Sequence, residues 1–261
     1  MKIALVDMNY GYSSTGKIVS DLKENYQSKG HSVLVCFGRG PDPEIKGVHK
    51  ISSRIEVLLH ILWVRLTGLT DGPSFLPTSR LIKHIDRFNP DIVHLHDLHG
   101  YFINIGAFVQ YLKNKNIPVV WTFHCEFMYT GKCGHAMECN KWKTECDQCP
   151  RLREYPKSWF FDFTKRMYYK KKSIFNDFVK IHLTAPSNWL ADRMSRSIVK
   201  DKAISVVYNG LDTSIFKRRN SHNLKKIHNL NSLLFDEPNF ARAIFVALSI
   251  ILKILLTSSG A

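Results

Sequence analysis

Four cysteines lie close together in the middle of the chain, with the spacing C-x5-C-x6-C-x2-C. Four thiolates can complete the tetrahedral shell of a zinc ion, and such a shell leaves no position open for catalysis. Only the last pair has the tight C-x2-C spacing that is typical of zinc knuckles. The segment therefore predicts either a structural zinc site or a loop of reduced thiols, formed by Cys133, Cys139, Cys146 and Cys149.

A group of histidines with one carboxylate follows a predicted strand at residues 91–96. Because side chains alternate along a strand, His94 and His96 should share one face of the sheet, and Asp97 should lie on the other. Imidazole and carboxylate groups bind metals, but no metal-typical spacing is complete here. The pattern fits either a ligand-binding strand end or core histidines that form hydrogen bonds under a loop, in His94, His96, Asp97 and His99.

A single histidine, His124, ends the predicted strand Val119–Phe123. Histidine at a strand end serves general acid–base chemistry only when it faces a ligand, and is otherwise structural. Cys125 and Glu126 follow it, so that a thiol and a carboxylate are close in sequence.

The first loop, Asn9–Lys17, joins a strand to a helix and contains Gly11, Ser14, Thr15, Gly16 and Lys17. A helix N-terminus at this place favours phosphate, because its backbone N–H groups are free and its dipole is positive there. The loop is not a Walker A motif, since Ile18 stands where Ser or Thr is required. A tight turn with a Ser or Thr helix cap is the alternative interpretation.

Strand and helix patterns alternate from the first residue to about Phe216. Strands separated by helices predict an α/β fold with a parallel sheet that helices cover on both faces. Such sheets bind ligands at the carboxyl ends of their strands. This rule adds Ser187, a helix cap after Ile181–Ala185, and the Asn209-Gly210 turn to the candidate residues. Within the predicted loop Gly38–Lys50, it also selects Gly38 and Arg39.

Three segments together resemble family 4 glycosyltransferases: Ile204–Phe216, Ala185–Trp189 and Thr122-Phe123-His124. The resemblance implies one Rossmann-like half of a GT-B architecture and a retaining sugar transfer that needs no metal cofactor. It implies a catalytic role for His124 and a cleft lined by substrate-binding residues, namely Gly11, Ser14, Thr15, Gly16, Lys17, His96, Asp97, Glu126, Ser187, Asn209 and Gly210. Family members commonly have Asp after this histidine; here Cys125 replaces it, and Glu126 is the candidate substitute.

The resemblance covers residues 1–216, with a Cys-rich insertion at 125–150, and it ends before residues 217–261. The family's second domain carries a Glu-x7-Glu motif, and Glu237 is the only glutamate of this last segment. We therefore expect an acceptor domain without a donor domain, from truncation or a frameshift, that transfers sugar poorly when alone. A non-catalytic partner subunit that binds the acceptor is the alternative.

The formal charge of +15 indicates an anionic partner. Nucleic acid is disfavoured, because no basic block adjoins a known binding motif, although a zinc-stabilised basic nucleic-acid-binding module stays an alternative. The basic, aromatic segment Ser158–Phe178 is predicted to be a long helix that binds an anionic membrane surface or packs on the sheet. The basic run Lys217–Lys226 and the apolar run Ala243–Leu256 favour interfacial binding over a membrane span.

The N-terminus predicts a buried strand rather than a signal peptide, because Asp7 interrupts a short apolar run. We therefore expect a cytoplasmic protein, peripheral to the inner face of the plasma membrane, whose thiols are reduced. Its expected partners are a nucleotide-sugar donor and a lipid-linked glycan acceptor of polysaccharide biosynthesis (capsule, exopolysaccharide or O-antigen).

Overall fold

The computed structural model describes residues 1–210 and Thr213. Residues 1–210 form one compact unit around a seven-stranded parallel sheet. The order of the strands in the sheet is β3-β2-β1-β4-β5-β6-β7. The strands are β1 Lys2–Asp7, β2 Ser32–Phe37, β3 Val48–Lys50, β4 Ile92–Leu95, β5 Val119–Thr122, β6 Ile181–Ala185 and β7 Ile204–Val206.

Six α-helices connect these strands within the described part of the chain. They are α1 Ser14–Ser28, α2 Arg54–Thr67, α3 Phe75–Phe88, α4 Ile105–Asn114, α5 Thr164–Phe175 and α6 Asn188–Met194. Two short 3-10 turns, Phe127–Tyr129 and Lys141–Lys143, lie between β5 and α5. The predicted α/β, Rossmann-like fold is confirmed.

Side chains of the central strands alternate between two hydrophobic clusters. On β1, Ala4 and Val6 belong to the larger cluster with Leu81 and Ile85 of α3. Ile3 and Leu5 belong to a second cluster, which includes Val19 of α1. Helices therefore cover both faces of the sheet, as parallel strands require, since both of their faces are apolar.

The structure corrects several predicted boundaries. β3 lies inside the predicted loop Gly38–Lys50, because its three residues are too few for a periodic pattern. The predicted helix at Ser158–Phe178 begins only at Thr164, where the Asp162 carboxylate accepts a hydrogen bond from Thr164 N at 2.9 Å. β7 is an edge strand, so its side chains are half-buried rather than buried, and Val207 is 57% exposed.

Helix α2 turns an apolar stripe away from the core. Its N-terminus is fixed by a capping box, in which Ser53 Oγ accepts from Glu56 N and the Glu56 carboxylate accepts from Ser53 N. The exposed stripe consists of Ile55, Leu58, Leu59, Leu62 and Leu66, each between 40% and 70% exposed.

Three exposed aromatic residues adjoin the C-terminal end of α2. Trp159 N donates a hydrogen bond to Arg65 O at 2.8 Å, and the Arg65 guanidinium lies 5.5 Å from the Trp159 ring centroid. Phe160 and Phe161 follow in the chain, and both are exposed. We call the stripe together with these aromatic residues the α2 apolar surface: Ile55, Leu58, Leu59, Leu62, Leu66, Trp159, Phe160 and Phe161.

No helix within the described residues is long and apolar enough to cross a membrane. The predicted basic run Lys217–Lys226, the apolar run Ala243–Leu256 and the anchor Phe216 lie outside the residues that the structure describes.

Gly38 follows β2, and its backbone lies against the buried ring of Phe102. A substitution that adds a Cβ tests this close contact. A Cβ at this position would lie 2.1 Å from Cγ of Phe102, which is fully buried. We expect Gly38→Ala to destabilise the protein by about 1–3 kcal/mol, as overpacking does. Gly134→Ala is the control, since its Cβ would meet no atom within 4 Å. Equal free energies of urea unfolding for the two variants would contradict the expectation.

Candidate functional site at the carboxyl edge of the sheet

Three histidines stack where β4 and β5 end, at the carboxyl edge of the sheet. His96 Nδ1 lies 3.0 Å from His124 Nε2, and their rings are stacked with centroids 5.4 Å apart. The His94 ring centroid lies 4.2 Å from that of His96, as expected for alternate residues of one strand. His94 Nε2 also lies 2.8 Å from Thr122 Oγ1, which in turn contacts Thr184 Oγ1 at 2.7 Å. We call His94, His96 and His124 the histidine cluster.

Burial keeps the histidine cluster uncharged at neutral pH. It lowers the pKa of His94 to about 4 and that of His124 to about 4. It also places the pKa of His96 well below the usual value, where the two neighbouring imidazoles add to the effect. His124 is only half-buried, so a neutral imidazole that could accept a proton or a hydrogen bond lies at the surface of the edge.

Two buried carboxyl groups lie beside the cluster. Asp7 accepts hydrogen bonds from the backbone N–H groups of Asn9 and Asp97 at 3.1 and 2.9 Å and from the Thr15 hydroxyl at 3.1 Å. Burial raises the pKa of Asp7 to about 6, against the lowering effect of these bonds. Burial and the nearby Asp7 raise the pKa of Asp97 to about 7. Asp7 was not among the site residues predicted from the sequence. The signal that could have identified it is an acidic residue at the end of a buried strand.

The first loop uses its own polar groups for internal hydrogen bonds. Ser13, rather than Ser14, caps α1 by accepting from Gly16 N, and Gly11 N donates to Gly16 O at 2.9 Å. A Cβ on Gly16 would lie 3.0–3.1 Å from Asn9 and Tyr10 atoms, so the glycine is needed for this close turn. Lys17 is exposed and pairs with Asp21 one helical turn away. The N–H groups of Gly11 and Gly16 are thus not open to phosphate in this conformation.

Glu126 does not replace the expected carboxylate at the edge. Its side chain is buried, and its oxygens accept from Ala136 N at 2.6 Å, the Tyr129 hydroxyl at 3.0 Å and Arg193 Nε at 2.6 Å. A buried carboxylate with this many donors is a structural group, because removing one partner would leave an unpaired charge. The oxygens of Glu126 are thus occupied by protein donors in this structure, and its substrate-binding role stays a prediction.

Ser187, Asn209 and Gly210 lie at the ends of β6 and β7. Ser187 is half-buried and caps α6 by accepting from Leu190 N at 3.2 Å. Asn209 and Gly210 are exposed beyond β7. The structure brings Ser187 to the same edge as the histidine cluster, because β6 pairs with β5 in parallel.

The four clustered cysteines line one small cavity of about 20 Å³, together with Lys132 and Trp142. All four have free thiols. Among the described residues, the potential metal ligands whose atoms all lie within 4.8 Å of one another are a different group, namely Asp97, His99 and Cys125.

A larger pocket opens at the carboxyl ends of β1, β2 and β3, with a volume of about 450 Å³. Three basic residues line it, Arg39, Lys50 and Arg54, and its lining contains no acidic residue. Leu58 of the α2 apolar surface also lines it, so the pocket and that surface are continuous. Arg39 was among the residues selected from the sequence, whereas Lys50 and Arg54 were not. Lys50 ends β3 and Arg54 begins α2, and the bounds of these two elements were not predicted correctly.

Comparison with known proteins identifies relatives along most of the chain. Residues 15–215 match the sequence profile of Glycosyltransferase Family 4. The putative colanic acid biosynthesis glycosyl transferase WcaC of Escherichia coli (strain K12) is 30% identical over 226 residues, which cover 81% of this chain and 55% of WcaC. The chain thus spans about half the length of this curated relative.

Two solved structures are also similar. The catalytic domain of starch synthase IV from Arabidopsis thaliana bound to ADP and acarbose has a TM-score of 0.44 at 14% identity, covering 88% of this chain and 59% of that chain. UDP-GlcNAc 2-epimerase from Neisseria meningitidis bound to UDP-GlcNAc has a TM-score of 0.38 at 16% identity. The match covers 90% of this chain and 53% of the epimerase chain.

Buried neutral histidines should make the fold sensitive to acid. Six histidines have a lowered folded-state pKa, His60, His84, His94, His96, His99 and His124. Between pH 6.5 and about 4 the unfolded chain binds protons at these groups and the folded chain does not, so the free energy of unfolding falls as pH falls. The raised pKa values of Asp7 and Asp97 act in the opposite direction, but these are two carboxyl groups against six histidines.

We therefore expect the free energy of urea unfolding to fall from pH 7 to pH 5. His124→Gln should make this dependence shallower by up to about 1.4 kcal/mol per pH unit, the value of one proton. His182→Gln is the control, since His182 is exposed. A free energy of unfolding that stays constant or rises as the pH falls from 7 to 5 would show that the protonation of Asp7 and Asp97 outweighs that of the histidines.

Proposed function

Because this chain belongs to glycosyltransferase family 4, we propose that it forms the acceptor-side half of a retaining enzyme of surface polysaccharide biosynthesis. The reaction would move a sugar from a nucleotide-sugar to a lipid-linked glycan. The E. coli relative's description as a putative colanic acid biosynthesis glycosyl transferase supports the class of pathway. The chain spans about half the length of that relative, so the transfer is proposed for the whole enzyme.

The observation that carries the lipid-linked acceptor is the continuity of the basic pocket with the α2 apolar surface. A lipid-linked glycan has an apolar chain, an anionic phosphate or diphosphate and a polar sugar, in that order. Arg39, Lys50 and Arg54 offer positive charge where the phosphate would lie. Leu58, at the boundary, leads to an exposed apolar stripe that suits the lipid chain or the membrane that contains it.

Exposed apolar residues in this number require an explanation beyond ordinary surface composition. Single exposed leucines are normal, whereas a contiguous apolar surface marks an interaction site. Leu59 is 57% exposed, Leu62 46% and Trp159 44%. Arg54 and Arg65, on the same helix, can contact anionic lipid headgroups while the apolar residues enter the interface.

His124 is the residue that we expect to contact the reacting sugar or the acceptor hydroxyl. It is half-buried, as His94 is, and its Nε2 lies 3.0 Å from His96 Nδ1. A neutral imidazole can accept a proton or a hydrogen bond without the cost of a buried charge. His96 is then a positioning residue, and its own Nε2 has no partner among the described residues.

A genetic and chemical experiment tests the sugar transfer. Deletion of the gene in the source organism should abolish the surface polysaccharide and accumulate a lipid-linked glycan that lacks one sugar, detected by mass spectrometry. Wild-type protein should restore the polysaccharide, and His124→Ala should lower its amount by an order of magnitude or more. His182→Ala, on the exposed face of β6, should restore it fully. An unchanged lipid-linked glycan pool after deletion would contradict the proposal.

Cosedimentation with vesicles tests the membrane contact. The purified chain should bind vesicles that contain anionic lipid, and binding should fall as salt rises. The double variant Leu59→Ser with Leu62→Ser should bind several-fold more weakly, because it removes two side chains of the α2 apolar surface. Val179→Ser with Val207→Ser is the control, since these valines are 89% and 57% exposed but lie elsewhere. Equal binding by both double variants would exclude the α2 apolar surface as the contact.

A further inference from the structure

We propose that Cys133, Cys139, Cys146 and Cys149 bind one structural zinc ion, and that two buried lysines, Lys132 and Lys171, balance the charge of this site. The proposal is independent of the sugar transfer, since it concerns how the segment after His124 is held. It rests on the cavity, on the hydrogen bond to Cys146 Sγ and on the surroundings of the lysines.

The cavity has the size and lining of an ion site. Its volume of about 20 Å³ is sufficient for roughly one water-sized sphere. All four cysteines contribute to the lining, from a segment of which only Lys141–Lys143 has regular structure. Gly131 N donates a hydrogen bond to Cys146 Sγ at 3.2 Å. Backbone donors directed at sulfur stabilise a thiolate, the form that binds metal.

Two lysines next to this cavity are buried and have no described carboxylate within ion-pair distance, although Asp162 and Glu154 act on Lys132, and Asp71 on Lys171, from farther away. Lys132 and Lys171 are each only 3% exposed. Lys132 Nζ donates to the carbonyl oxygens of residues 151, 152 and 154, at 3.2, 2.5 and 2.9 Å. Lys171 Nζ donates to Phe127 O at 2.6 Å and Thr130 O at 3.1 Å. Within the described residues, neither lysine forms an ion pair with a carboxylate.

Buried ammonium groups are costly unless an opposite charge lies nearby. Four neutral thiols provide no such charge. Zinc bound by four thiolates carries two net negative charges, since four thiolates outweigh one divalent cation. Lys132 lines the cavity directly. Lys171 Nζ donates a hydrogen bond to the carbonyl oxygen of Thr130, and Thr130 also lines the cavity. The two ammonium groups would then match the charge of the metal site.

Zinc at this place would hold the segment that follows the site histidine. Glu126 N donates to Gly134 O at 2.7 Å, and Glu126 accepts from Ala136 N at 2.6 Å. Residues 134 and 136 lie between the first two cysteines, so fixing the cysteines also fixes the partners of Glu126. The metal would replace a hydrophobic core in a segment that has little regular structure.

Asp97, His99 and Cys125 form a competing group. Their ligand atoms lie close together, but this set of ligands suits zinc less well than four cysteines do. Its ligand atoms lie within 4.8 Å of one another beside a cavity of about 10 Å³. It offers three ligands of three kinds, and no lysine among the described residues forms an ion pair with Asp97. Four cysteines supply the complete shell that zinc adopts in structural sites. The two sites are distinguished by which variants retain the metal.

Metal analysis of the full chain, purified from zinc-supplemented cells without chelator, tests the proposal. We expect a zinc-to-protein ratio near one. A mercurial reagent that titrates thiols should release this zinc as four thiols react, and a zinc-binding dye would detect the release. Cys149→Ala should lower the bound zinc at least tenfold, whereas the controls Cys125→Ala and Asp97→Asn should retain it.

Three outcomes would overturn the proposal. The first is wild-type protein with almost no zinc and four freely titratable thiols. The second is a disulfide between Cys133 and Cys149, found by mass spectrometry after alkylation without reduction. The third is zinc that Cys149→Ala retains and Asp97→Asn loses, which would assign the ion to the competing group. If Cys149→Ala does not fold, the thiol titration of the wild-type protein still decides the question.

Discussion

The parallel pairing of β4 between β1 and β5 is the constraint on which the site depends. Leu5 pairs with His94, and His94 pairs with Val120, so all three strands end at the same edge. The residues that follow β1, β4 and β5 are far apart in sequence, yet they meet within hydrogen-bonding distance. Asp7 receives the N–H of Asp97 at 2.9 Å, and His96 meets His124 at 3.0 Å. A change of one residue in either register would turn these side chains to the other face of the sheet.

Burial of these polar groups determines their charge. Each side chain loses its hydration, and the edge provides hydrogen bonds rather than opposite charges. The histidines are therefore neutral at pH 7, and burial raises the pKa of Asp97 to about 7. Glu126 and the two buried lysines, Lys132 and Lys171, are stabilised by other kinds of partner. Glu126 has an arginine partner, Arg193, whereas Lys132 and Lys171 donate to carbonyl oxygens, and Lys171 Nζ also lies 3.4 Å from the Phe127 ring centroid.

The sequence predicted the sheet and the placement of His94 and His96 on one of its faces, because both follow from short-range rules. Alternating apolar strands and helices determine the sheet, and residue alternation places His94 and His96 on one face. It could not predict the basic pocket, since Lys50 and Arg54 join it only through the short strand β3 and the capping box of α2. Ile55, Leu58, Leu59, Leu62 and Leu66 recur at helical spacing in the sequence. This spacing cannot show that they face outward, because a stripe looks the same in sequence whether it faces the core or solvent.

The replacement of the usual aspartate by Cys125 illustrates how a parallel sheet can supply the same chemical group from a neighbouring strand. Glu126, the nearest carboxylate in sequence, turns inward to Arg193. Asp97, which follows β4, places its Oδ1 3.9 Å from Cys125 Sγ instead. A carboxyl group thus lies next to the position that the missing aspartate would occupy, although it comes from a different strand. With a pKa near 7, this group is partly protonated at neutral pH, so it can donate as well as accept a hydrogen bond, which an ordinary aspartate cannot. The edge therefore has a carboxyl group beside Cys125, the residue that follows His124 in sequence.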